Sequence, residues 1–232
     1  MQLRVMDLEH GRFVIGETCI DATVEFGYLK YIEKLVVEAR SDILEKIAKD
    51  SFFGLTYDPY VSGDGDSEII RLMCESSKTA GVGPMASVAG AIDYHVMKGL
   101  YEKGCRHMVL DNDGDLGIIS DIDVNIGLYT GLDGIPLFTI TVNSEGRPLG
   151  ICTSSGRIGH SVSLGNCDMA TVIADNPVLA DACATKLGNL CIDSPEHAVE
   201  MICSVDGVRG CMAVCNGVVA KCGDFEINES NV

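Results

Sequence analysis

His107-Met108-Val109-Leu110-Asp111, halted at once by Asn112-Asp113-Gly114-Asp115, reads as a β-run stopped by a polar turn. The alternation continues to Ala174, with β-runs at 107–111, 122–129, 135–142, 149–153, 160–164 and 169–174 set off by Gly, Asn and Asp. Such a block of short strands meanders, and it decides the fold once its flanks are read. On the N-terminal side, apolar residues recur at three- and four-residue spacing over 28–50, which predicts an amphipathic helix. A second helix is expected from about Asp66 to Ser77, after a Gly- and Pro-broken loop at 51–65. Gly81-Val82-Gly83-Pro84 introduces a third, about Met85 to Lys103, since Pro just inside a helix start gives up an N–H that has no helical partner anyway. Before these, strands are expected at Leu3–Leu8, Phe13–Glu17 and Cys19–Phe26, with a turn at His10-Gly11. On the C-terminal side, Pro177 opens a helix to about Leu190, and Ser194-Pro195-Glu196 caps another to about Cys203. Asn216-Gly217 then joins a hairpin of 210–215 and 218–222, because both turn positions tolerate positive φ. Helices placed between blocks of meandering strands imply an α+β fold, with a largely antiparallel sheet packed with helices, over one domain of 1–232.

Composition narrows the function. The 232 residues carry 34 Asp plus Glu against 17 Lys plus Arg, a formal net charge of −17. That surface repels phosphate backbones and anionic lipid and offers no basic stripe, so neither nucleic acid nor membrane is an expected partner. The longest uncharged stretch, Thr79 to Ile92, is too short to span a bilayer. The N-terminus shows no basic segment followed by an apolar one, and the eleven cysteines are odd in number. Together they point to a cytoplasmic protein with reduced thiols. With 6% aromatics and no Trp, the core must be built from aliphatic, thiol and methionine side chains.

Four segments could carry chemistry. In Ala180-Asp181-Ala182-Cys183-Ala184-Thr185, Asp181 and Thr185 stand at i and i+4, on one helix face and about 6 Å apart along the axis. A carboxylate and a hydroxyl suit Mg²⁺ held jointly with substrate phosphates. The alternative is an Asp complementing a helix dipole, with Thr185 bonded back to the chain. Asp111 to Asp115 does not fit a calcium loop, for positions six and twelve would be Leu116 and Ile122. It is either a polar turn or an acidic rim facing a ribose or an amine. Cys152-Thr153-Ser154-Ser155-Gly156 with Gly159-His160-Ser161 groups hydroxyls, turn glycines and a His into a ligand cradle or an ordinary polar loop. Gly81 to Pro84 could face a phosphate at a helix N-terminus, without a complete dinucleotide or P-loop fingerprint. Cys203, Cys211, Cys215 and Cys222 are spaced by eight, four and seven, which matches neither ferredoxin pattern. Buried core thiols are the expectation there.

Taken in order, Gly81 to Gly90, Asp111 to Asp115, Gly150 to Gly156 with Gly159-His160-Ser161, and Ala180 to Asn189 resemble the short, cytosolic branch of the ApbE-like superfamily over nearly the whole chain. The resemblance implies a T-fold-type α+β domain and Mg²⁺-dependent chemistry on FAD, whose FMN half the transferases attach to a Thr of a protein acceptor. It implies metal ligation by Asp181, Thr185 and the Ala86 carbonyl. Flavin or nucleotide contacts would come from Gly83, Ala86, Ser87, Asn112, Thr153, Ser154 and Ser155. Asp115 and His160 would be the proton-handling residues. Two departures stand out: Ser87 replaces the Lys of the transferases' Ala-Lys-Gly, and Asp113 replaces the first Gly of their Gly-Gly-Asp turn. Both favour a non-catalytic flavin-binding subunit as one alternative. Members of the short branch in methanogens are linked to sulfide assimilation into homocysteine. That makes a sulfur-handling role centred on Cys152 a second alternative. The expected partners are a small flavin or nucleotide, a protein acceptor, and a second copy of the chain.

Overall fold

The β3–β4 hairpin sets the frame of the protein in the computed structural model, which describes residues 7–129, 137–155, 167–191, 195–223 and 225–230. Strand β3 (Met108–Asn112) turns through Asp113-Gly114 into β4 (Asp115–Ile119). Asp113 and Gly114 both have positive φ, at 54° and 98°, which is the backbone that a two-residue hairpin of matching twist demands. The turn was expected, but the strand after it was not. On one side of this hairpin lie β2 (Thr18–Glu25) and then β1 (Leu8–Ile15) at the edge. On the other follow β7 (Leu149–Ser154), β8 (Met169–Ala174), β9 (Val208–Cys215) and β10 (Val218–Gly223). All eight strands pair antiparallel. A second antiparallel sheet holds β5 (Val124–Leu128), β6 (Leu137–Val142) and β11 (Ile227–Ser230), with β6 in the middle.

The helices follow the apolar periodicity with shifted ends. A 3-10 turn at Leu29–Tyr31 leads into α1 (Ile32–Lys49). Helix α2 (Ser51–Leu55) lies where a loop was expected, because the Asp50 side chain caps it by accepting from the Phe52 amide. Helix α3 (Glu68–Ala80) stops at Gly81 in the left-handed conformation. The third expected helix is split into a 3-10 turn, Pro84–Ser87, and α4 (Val88–Glu102). Helices α5 (Pro177–Leu190) and α6 (Pro195–Cys203) lie as expected. The expected turn at His10-Gly11 is not present: both residues pair with β2, and the chain reverses at Gly16, φ +59°. The expected strand at 160–164 lies outside the described residues.

Burial shows three layers. Residues of β1–β3 pack on α1, α3 and α4, and the helix-facing residues of β7–β9 pack on α5 and α6. The opposite face of β4 and β7–β9 packs on the small sheet, through Leu116, Ile118, Ile151, Met169 and Met212 against Ile126, Phe138 and Ile140. Strand β8 is therefore buried on both faces, which is why its sequence is apolar throughout. Its small helix-side residues, Ala170 and Ala174, meet the small residues Ala180, Ala182 and Ala184 of α5. Among the described residues, no helix is long and apolar enough to cross a membrane.

Candidate metal centre

Three carboxylates distant in sequence act on one another where α4, α5 and the β3–β4 hairpin converge. Glycines on the facing surfaces make that convergence possible. A Cβ on Gly90 would lie 2.2 Å from the Pro177 carbonyl oxygen and 3.0 Å from the Asp181 Cβ, so the close approach of α4 and α5 at this point requires a glycine. One turn further along α4, Asp93 is held against β4: a Cβ on Gly117 would stand 3.2 Å from the Asp93 Cβ. Asp115 lies two residues before Gly117 and so projects from the same face of β4.

Asp181 reaches across to α4 and its Oδ2 accepts from the Gly90 amide at 2.9 Å. Helix α4 lacks a cap of its own, because the Ser87 hydroxyl is spent on the Pro84 carbonyl at 2.9 Å. Asp181 thus complements a helix N-terminus, as one alternative foresaw, but that of the neighbouring helix. Burial, followed by the charge of Asp115, pushes its carboxyl well above the usual range despite the amides of Gly90 and Ala89. Thr185 lies one turn on and is almost buried, and its hydroxyl makes no hydrogen bond among the described residues. The back-bond that would have explained it structurally is absent there.

Asp115 opens β4 opposite Cys152, and its Oδ1 accepts from the Thr153 amide at 3.3 Å. Burial raises its carboxyl to about 7, with the Cys152 thiol and the Thr153 amide pulling the other way. Asp93 is the most exceptional of the three. It is fully buried, and among the described residues neither carboxylate oxygen has a hydrogen-bond partner. Burial and then the charges of Asp115, Asp181 and Asp111 hold its carboxyl well above the usual range; Asn112 opposes them weakly. The Asn112 amide is turned to the Ala89 carbonyl at 3.4 Å. Among the described residues no Lys or Arg pairs with Asp93, Asp115 or Asp181. Unpaired buried charge costs several kcal/mol per ion, so this junction must hold protons or a cation.

The oxygen-rich set fits a hard cation such as Mg²⁺. No group of three His, Cys, Asp or Glu side chains among the described residues is arranged to hold a metal ion alone. Ligation would therefore also draw on the Thr185 hydroxyl, backbone carbonyl oxygens and water. Ala86 lies on the 3-10 turn that packs against α5.

The remaining expected residues divide into two groups. Gly83 is a packing residue: its Cβ would lie 1.9 Å from the Thr56 carbonyl oxygen. Ser87 is fully buried and occupied, as described above. Thr153 shares a hydrogen bond with the Thr171 hydroxyl at 2.9 Å, on the sheet face opposite Cys152. There it lines a cavity of about 770 Å³, together with His10, Arg12, Asp111, Asn125 and Tyr129. The cavity and the carboxylates lie on opposite faces of the sheet; Asp111 and Gly114 of the β3–β4 hairpin line the cavity. Ser154 is buried with its hydroxyl unpartnered among the described residues, whereas Ser155 donates to the Asp168 carbonyl at 2.9 Å. His160 lies outside the described residues. Cys152 is wholly buried, and burial and the neighbouring carboxylates keep its thiol protonated, the opposite of a reactive thiolate. Asp93 was not foreseen from the sequence. The available signal was its spacing from Val96, Met97 and Leu100, which puts a carboxylate on the apolar stripe of α4.

Helices on one face of an eight-stranded antiparallel sheet, with a small second sheet on the other, define an α+β fold. The same fold is present in the apo form of the Pseudomonas stutzeri flavinyl transferase ApbE, at TM-score 0.60 and 13% identity over 96% of each chain. It recurs in a flavin transferase ApbE from Vibrio cholerae, at TM-score 0.62 and 9% identity over 93% of this chain and 96% of that one. Residues 7–206 match the family described as AbpE bacteria. A UPF0280 protein of Archaeoglobus fulgidus is 38% identical over 221 residues, covering 92% of this chain and 91% of its own. One from Methanococcus vannielii is 36% identical over 214 residues, covering 88% and 87%. The chain belongs to the ApbE-like UPF0280 family.

Proposed function

We propose that this protein binds FAD, or a closely related phosphorylated nucleotide, together with Mg²⁺, and acts on its diphosphate by cleavage or FMN transfer. The observation that carries the reading is the buried set of Asp93, Asp115 and Asp181, which no cationic side chain among the described residues balances. Kinship with flavin transferases favours a flavin over other diphosphates. Asp181, Thr185 and the Ala86 carbonyl would hold the metal. When bound, Mg²⁺ supplies neutralisation of charge on the phosphoryl oxygens. Asp115, with a carboxyl near 7, can take or release a proton at neutral pH. The cavity bordered by Thr153 is of a size to enclose one planar ring of such a ligand.

The test is FAD with the purified protein, with and without Mg²⁺, followed by flavin fluorescence and by chromatography for FMN and AMP. Mg²⁺-dependent binding with FMN and AMP released is the expected result. Asp181→Ala should reduce the rate by at least about 100-fold, since even outer-shell partners of a metal cost 10- to 100-fold when removed. Full metal-dependent activity in that variant would contradict the assignment.

A further inference from the structure

The ligand set implied by the family resemblance, Asp181, Thr185 and the Ala86 carbonyl, brings one carboxylate to the cation. The fold brings another within electrostatic reach of Asp181. Asp93 comes from α4, whereas Asp181 comes from α5, and the two helices touch at Gly90, one turn before Asp93. Gly117 seats Asp93 against β4, two residues from Asp115 on the same strand face. Its carboxylate is fully buried and, among the described residues, both oxygens are unpartnered, in a helix that is otherwise apolar on that side. A structural role would require partners, and among the described residues neither oxygen has one in hydrogen-bonding geometry; Asn112, the nearest candidate, turns its amide to the Ala89 carbonyl instead. A buried carboxylate left bare in this way costs folding energy; an Asn would remove its charge but leave an unpartnered amide, and an Ala would remove the polar group altogether.

We infer that Asp93 is part of the cation site, directly or through a water retained by the ion, and that it lets the chain hold a divalent cation before any nucleotide arrives. This rests on the Mg²⁺ centre proposed above. With Asp181 alone, a cation would gain most of its negative ligands from the diphosphate, and metal and nucleotide would bind as one unit. With Asp93 added, two buried carboxylates face the ion from separate helices. The ion then becomes resident, and it ties α4 to α5.

Mn²⁺ serves as the probe, being a hard divalent ion visible by electron paramagnetic resonance. Binding is titrated without nucleotide on the wild type, Asp93→Asn and Asp181→Asn. Thermal melts are run on each with EDTA and with Mn²⁺. The wild type should bind one Mn²⁺ per chain. Asp93→Asn should bind it about 10- to 100-fold more weakly. It should melt no lower than the wild type in EDTA, while losing most of the Mn²⁺-induced gain. A lower melting point in EDTA, with Mn²⁺ affinity unchanged, would show that Asp93 is a packing residue and overturn the inference. So would a wild type that binds Mn²⁺ only when FAD is present, although the proposed function would survive that result. If Asp93→Asn abolishes binding and Asp181→Asn does not, Asp93 is a ligand and it is the family-based ligand assignment that fails.

Discussion

Cys152 shows how strongly surroundings decide the chemistry of a side chain. In the sequence it stands beside Thr153 and Ser154, eight residues before His160, a position open to nucleophilic or sulfur chemistry. In the fold it faces inward, its Sγ turned to the Pro177 carbonyl at 3.5 Å and its charged form opposed by Asp115, Asp181 and Asp93. Alkylation of the native protein should therefore modify the half-buried Cys19, Cys203 and Cys222 first. Cys152 should react only on unfolding, as mass spectrometry of the peptides will show. Rapid labelling of Cys152 in the native state would restore the sulfur-handling alternative. The same contrast explains why Asp93 escaped the sequence reading. It belongs to no motif, and its significance comes from α5 and β4, which are remote in sequence.

At the scale of the element, the site depends on how closely α4 and α5 approach. Gly90→Ala would gain up to about 1 kcal/mol of helix propensity. It would also force a Cβ to 2.2 Å from the Pro177 carbonyl oxygen, and overpacking of this kind costs about 1–3 kcal/mol. The clash should win, lowering stability in a denaturant titration and weakening metal binding, because the Asp181–Gly90 bond is stretched. The start of α5 is fixed by Asn176, whose side chain accepts from the Leu179 amide at 3.0 Å. Asn176→Ala should cost about 1 kcal/mol, measured by the same titration. Elements were legible where period or capping was strong, as in α1, α5, β8 and the Asn216-Gly217 hairpin. Strand β4 was missed because Asp113-Gly114 was weighed as a chemical motif, although it carries the same two-residue turn signal as Asn216-Gly217. His10-Gly11 misled in the opposite direction: a Gly inside an edge strand was read as a break, while Gly16 makes the actual turn.

For the molecule as a whole, pH and divalent cations should act against each other. Asp115 has a folded carboxyl at about 7 against an ordinary value of 3.8. Its contribution to stability is complete below the unfolded value and is lost as pH rises through about 7. Asp93 and Asp181 are raised in the same sense, and the net charge of −17 adds self-repulsion as the acids ionise. EDTA-treated protein should therefore melt at progressively lower temperature from pH 5 to pH 8, and Mg²⁺ should restore most of the loss at the upper end. A melting temperature that rises over this range in EDTA would show that the carboxylates are paired in a way the fold does not indicate. The α+β class and the antiparallel sheet were readable from the order of strands and helices. The separation of the carboxylate centre from the 770 Å³ cavity was not, because it depends on which face of β7 each residue takes.

The most direct test of the metal centre is a crystal grown with Mn²⁺ and FAD, measured for anomalous scattering. A manganese peak at ligand distance from Asp181 and Thr185, with the diphosphate beside it, is the expected result. A well-ordered flavin with no peak at the junction of α4 and α5, or with a peak elsewhere on the chain, would contradict it.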